Sequence, residues 1–186
     1  MSTVANFTLE QYERMVEAGA FDGRLRQHVE FIHGEIREMN PIGSFHAQAL
    51  SDLTDWSYEV APRQDFAIRV QTTLRMPLQN SAPEPDLIWV RRRSYASQHP
   101  EPEDVLLLVE VAESSLSDDR GEKLQIYAEA GIADYWIVNL VEHSIELNRS
   151  PSGRRYLSTQ RFVAADSVSP LALPTARLAV DFVFPK

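Results

Sequence analysis

Three carboxylates in this sequence stand in or beside apolar, strand-like runs, where a charge is costly unless it is paired or bound to a metal. Glu110 interrupts the run Val105 to Ala112, Asp86 follows Pro85 and opens Leu87-Ile88-Trp89-Val90, and Glu35 follows the turn His33-Gly34. Acids placed in this way suit a hard divalent cation, Mg²⁺ or Mn²⁺, which accepts one or two carboxylates and keeps water or phosphate oxygens in its other positions. A cation so held activates water and steadies the charge on a phosphate. Each acid taken alone reads equally well as a strand end or as half of an ion pair with arginine. Asp86 and Glu110 together, on strands expected to be neighbours, favour the site. A positive partner is expected two residues after Glu110, on the same face of the strand, but that place is Ala112. Lys123, early in the following helix and with Tyr127 at i+4, is the substitute; a surface ion pair with Asp119 is its competing reading.

The elements that position these residues follow from periodicity. Asp104 to Leu140 reads as strand, helix, strand, a right-handed crossover joining two parallel strands. Its helix is expected over 119–131, with acidic residues at the start and Gly131 at the end. Further helices are expected over 8–18, where Thr8 and Gln11 have capping-box spacing, and over 44–58. In the latter Ser44 is a cap and Phe45, Ala49, Leu53 and Trp56 form one stripe. Val29–Ile32 and Glu35–Met39 flank His33-Gly34 as a hairpin. Strands are expected over 66–75 and 85–90, a meander over 144–158, and a proline-rich tail ending in a short segment at 179–182. The fold class expected is α/β, a mixed sheet with flanking helices in a single domain spanning 1–186.

Composition narrows the function. The 186 residues are 44% hydrophobic and 24% charged, an ordinary globular balance. The absence of cysteine excludes disulfides, thiolate metal sites and cysteine nucleophiles. With no secretory signal and no membrane-length apolar run, a soluble cytoplasmic protein is expected. There are 18 Lys+Arg against 27 Asp+Glu, a net charge of −9, so binding of nucleic acid by bulk charge is not indicated. The basic cluster Arg91-Arg92-Arg93 is a solvated strand end or a nucleic-acid contact. No histidine pair at metal spacing, phosphate-cradling glycine loop or serine nucleophile elbow is present.

Pro85-Asp86 followed by Glu110-Val111-Ala112 resembles the PD-(D/E)XK nuclease core with its lysine displaced. More closely, Val109 to Leu116, Asp119 to Leu124 and Tyr127 to Val138 resemble the Uma-two family of restriction-endonuclease-like proteins. Gly34 to Pro41 with His46 matches that family's N-terminal pattern, and the likeness runs from about Tyr12 to Leu157. The resemblance implies a restriction-endonuclease-like fold and Mg²⁺-dependent hydrolysis of DNA phosphodiesters. It also implies roles: Asp86 and Glu110 as metal ligands, the Val111 carbonyl as a further ligand, Lys123 as the migrated lysine, Glu35 completing the acidic cluster, and His46 near the site. Two rivals stand beside it, a catalytically silent nuclease fold kept as a binding module and a phosphoesterase acting on RNA or nucleotides. A homodimer would bring the arginines around Arg91 and Arg154 together across one groove.

Overall fold

The computed structural model describes residues 5–22 and 29–184. The helices are α1 (Leu9–Glu17), α2 (Ser44–Val60), α3 (Leu116–Arg120) and α4 (Glu122–Glu129). The longer strands are β1 (Val29–Ile32), β2 (Glu35–Glu38), β3 (Phe66–Val70), β4 (Leu87–Arg91), β5 (Val105–Ala112), β6 (Asp134–Asn139), β7 (Ser144–Ser152) and β8 (Arg155–Phe162); β9 (Ser167–Val168) and β10 (Leu178–Ala179) are two-residue strands. β3 to β8 make one six-stranded sheet in chain order, and only the β5–β6 pair is parallel. That pair is the one joined through α3 and α4, as a crossover requires. The result is the expected α/β mixed sheet with flanking helices.

Strand alternation assigns the two faces of β5. Leu107, Val109 and Val111 pack with Ala49, Leu53 and Trp56 of α2 and with Leu178, Val180 and Val183 of the C-terminal tail. Leu108 and Ala112 pack with Ile126 and Tyr127 of α4 and Tyr135 of β6. Each buried Leu or Val contributes about 1.5–3 kcal/mol, so the two covered faces hold β5 against the cost of the one acid in it. Glu110, between Leu108 and Ala112, therefore faces α4.

Several boundaries differ from the sequence expectation. The helix expected over 119–131 is two helices that meet at Gly121, where a Cβ would fall 2.6 Å from the Ser117 carbonyl oxygen. The N-cap of α2 is Gly43 and not Ser44. Phe45 leaves the expected stripe: it is exposed, while Ala49, Leu53 and Trp56 are buried. The strand expected over 66–75 stops at Val70, because Gln71 takes a left-handed φ of 45°. Thr8 caps α1 through the expected box with Gln11. His33 and Gly34 both have positive φ, 50° and 86°, as a type I′ hairpin turn demands. The tail closes with β10 and a 3₁₀ turn over Val180–Val183. Among the described residues no helix is long and apolar enough to cross a membrane.

Candidate active site

Asp86 lies just before β4 and Glu110 in β5, and the register that sets Leu87 opposite Val109 brings the two acids together. The Asp86 N–H donates to Glu110 Oε2 at 3.4 Å, and the Val111 N–H donates to Asp86 Oδ2 at 2.8 Å. Asp86 Oδ1 pairs with His46 Nε2 of α2 at 2.9 Å and accepts from Gln71 Nε2 at 3.4 Å. Glu110 Oε1 accepts from Tyr127 OH at 2.8 Å and from Lys123 Nζ at 3.2 Å. One helical turn separates Lys123 from Tyr127, which is why both reach one oxygen. Lys123 Nζ also stands 3.3 Å from Glu30 Oε2 on β1. Glu30, His46, Asp86, Glu110, Val111 and Lys123 line a cleft of about 210 Å³ whose walls run through residues 38–43, 113–115 and 118–119.

The cleft is short of positive charge. Asp86, Glu110 and Asp119 are buried, at 6%, 3% and 1% exposure, and Lys123 at 9%. Burial pushes the Glu110 carboxyl up to about 8; the charges of Asp119 and Asp86 add to this, against the opposing pull of Lys123 and Tyr127. Burial works to lower the pKa of Lys123, but the surrounding acids Glu110, Glu30, Asp119 and Asp86 outweigh it and hold the ammonium well above its usual range. For His46, burial works downward and is outweighed by the bond to and charge of Asp86, with Glu113 and Asp119 adding, so its pKa is raised.

This donor set fits a hard divalent cation. Among the described residues no group of three or more His, Asp or Glu stands ready as a metal cage; an ion such as Mg²⁺ needs only one or two carboxylates and keeps most of its water. Asp86 and Glu110, brought together by the β4–β5 register, are the carboxylates that would take it, and the main chain of Val111, whose N–H donates to Asp86, lines the same cleft. Hydrogen bonds orient each acid: from His46, Gln71 and the Val111 N–H to Asp86, and from Tyr127 and Lys123 to Glu110.

The structure thus brings together Asp86, Glu110, Val111, Lys123, His46 and Tyr127. It does not bring Glu35, which pairs with Arg37 at 3.0 Å outside the cleft. The hairpin acid that reaches Lys123 is Glu30, on β1, where it stands opposite Arg37 of β2 in register. Arg91, Arg92 and Arg93 do not line the cleft. Arg91 ends β4 and Arg92 and Arg93 follow it, about 16 Å or more from Asp86 at ordinary strand rise. Arg91 Nε donates to the Glu103 carbonyl, and Arg93 pairs with Asp104 and lies over the Tyr95 ring. Asp119 was legible only as a surface partner of Lys123, yet it is buried and lines the cleft. Its placement depends on the break at Gly121, which periodicity does not show.

A crystal structure described as a putative nuclease from Anabaena variabilis shares this fold: the TM-score is 0.71 over 96% of this chain and 97% of that one, at 13% identity. No curated protein matches the chain significantly. A family model described as "Putative restriction endonuclease" matches residues 9–181, and the chain belongs to that family, Uma2.

Proposed function

We propose that the protein is a metal-dependent endonuclease that hydrolyses DNA phosphodiester bonds. The observation that carries this reading is the convergence of Asp86, Glu110 and Lys123 in one cleft. Asp86, Glu110 and the Val111 carbonyl would hold Mg²⁺ or Mn²⁺, which when bound supplies a Lewis acid and an activated water. The chain's own residues do the rest. His46 and the Val111 N–H fix the two oxygens of Asp86. Tyr127 fixes Glu110. Lys123, kept charged by the acids around it, offers an ammonium to the charge that builds on the phosphate as water attacks. Asp86, Glu110 and Lys123 are themselves buried at the floor of the cleft, which strengthens each of these interactions.

A silent nuclease fold that only binds is favoured by one observation: Lys123 is engaged by Glu110 and Glu30 within an acidic cleft. Calorimetric titration of Mn²⁺ into the wild type, Asp86→Asn and Glu110→Gln, with plasmid nicking at low salt, separates the readings. Metal binding and nicking by the wild type, both lost in the variants, is the expected result. Metal binding without nicking identifies the binding module, and no binding at millimolar Mn²⁺ makes the carboxylates structural.

A further inference from the structure

Resting on that reading, we propose that Asp119 is the proton acceptor for the attacking water, with Ser115 as the residue that orients it. The oxygens of the two carboxylates that would take the metal are already committed: both oxygens of Asp86 and both oxygens of Glu110 accept hydrogen bonds. Glu30 is set against the Lys123 ammonium, 3.3 Å from its Oε2. Lys123 is held as an ammonium and has no lone pair to offer. His46 shares Nε2 with Asp86, which favours its protonated form.

Asp119 differs. It lines the cleft from α3, and its Oδ2 accepts from Ser115 Oγ at 2.6 Å, while its Oδ1 accepts no hydrogen bond from the described residues. Its own main-chain oxygen is held by Tyr135 OH at 2.9 Å, so the carboxylate is anchored from β6 as well as from the turn before α3. Among the described residues no hydrogen bond or ion pair joins it to Asp86 or Glu110, so it is not tied up by the carboxylates assigned to the metal.

The groups that face it are Lys123 of α4 and Ser115, which favour the carboxylate, and Asp86, Glu30 of β1 and Glu110 of β5, which favour the acid. His46 of α2 feels its charge. Burial is the largest influence and, with the neighbouring acids, brings the carboxyl up to about 6. Such a group is ionised at neutral pH and basic enough to take a proton.

The step balances. The water oxygen forms a bond to phosphorus, its proton passes to Asp119 Oδ1, and the bond from phosphorus to the leaving sugar oxygen breaks with its electron pair on that oxygen. The leaving oxygen takes a proton from solvent, and Asp119 returns its own to solvent.

The test is the pH profile of kcat for nicking with Mn²⁺ in the wild type, Asp119→Asn, Ser115→Ala and His46→Gln, together with Mn²⁺ calorimetry on each. In the wild type the rate rises with pH and levels off, with its limb below the metal-free value of Asp119 because a cation held by Asp86 and Glu110 favours the ionised carboxylate. Asp119→Asn is expected to lower kcat by about 100-fold or more, to keep KM and Mn²⁺ affinity within about threefold, and to lose the plateau. Ser115→Ala removes a bond that favours the ionised form, so its acid limb moves upward by roughly half a pH unit. A structural role would leave that limb in place.

The proposal is overturned if Asp119→Asn keeps the wild-type rate, if it loses Mn²⁺ binding and is thus a ligand, or if the limb survives there and vanishes in His46→Gln. A wild type that neither binds Mn²⁺ nor nicks DNA overturns the nuclease reading itself. An active wild type with an indifferent Asp119→Asn overturns only this inference.

Discussion

At the scale of single residues, Lys123 carries the sharpest consequence. Its ammonium lies 3.2 Å from Glu110 and 3.3 Å from Glu30, so it serves the free protein as an internal counter-ion. Replacing it removes the cation from beside two acids held at low exposure. Lys123→Met is expected to destabilise the metal-free protein by about 3–5 kcal/mol, the cost of breaking a buried pair from one side. It is also expected to tighten Mn²⁺ binding, because a competing positive charge is gone, while nicking falls at least 100-fold. Urea denaturation in EDTA, calorimetry and the nicking assay check the three arms. A variant that binds metal tightly and still nicks removes the lysine from the mechanism. The same bookkeeping of partners explains Ala112: the strand position that lacks a lysine is packed against α4, and α4 delivers the ammonium from its own first turn.

At the scale of elements, the site depends on how three pieces meet. The β4–β5 register brings Asp86 to Glu110. The β1–β2 hairpin brings Glu30 over Lys123. The break between α3 and α4 turns Asp119 and Lys123 into the same cleft, and this break rests on Gly121. An added Cβ there would meet the Ser117 carbonyl oxygen at 2.6 Å, a backbone atom that cannot step aside alone. Gly121→Ala is expected to cost about 1–3 kcal/mol, as overpacking does. That corresponds to a fall in Tm of roughly 2–4 °C per kcal/mol for a chain of this size, measured by thermal melts followed by circular dichroism. A Tm unchanged within a degree would mean that α3 and α4 tolerate joining into one helix.

At the scale of the whole molecule, the buried acids make stability depend on pH. Glu110 and Asp119 have folded-state pKa values raised to about 8 and about 6. Between the ordinary carboxylate range and those values the folded protein binds more protons than the unfolded chain, so stability falls as pH rises. His46 acts with the same sign: its pKa is raised, so its contribution is present at low pH and lost as pH passes through the folded value. Without metal, Tm is therefore expected to fall from about pH 5 to about pH 8. Millimolar Mn²⁺, which binds the ionised carboxylates, is expected to reverse that fall by mass action. Differential scanning fluorimetry across this range, with EDTA and with Mn²⁺, checks both arms; a flat profile insensitive to Mn²⁺ would contradict the electrostatics described above. With a net charge of −9, affinity for DNA that rests on only a few phosphate contacts near the cleft should be weak and fall only shallowly with salt, because the slope scales with the number of contacts.

The sequence by itself determined the architecture near the site. The apolar run of β5, the crossover to β6, the hairpin turn and the cap of α1 are local patterns whose period and turn chemistry carry their own meaning. The pairing of Asp86 with Glu110 was legible too, because an acid within an apolar strand is an anomaly that local chemistry must explain. Only the tertiary structure decided which other groups join them. Glu30 and Glu35 sit on one short hairpin, and which of them faces Lys123 depends on how that hairpin packs against α4. Asp119 looked like a surface partner of Lys123 until the break at Gly121 turned it inward. Arg91 to Arg93 formed a basic run in the sequence, yet strand rise carries them away from the cleft. Side-chain direction and long-range contact are properties of packed elements, and periodicity along one segment does not contain them.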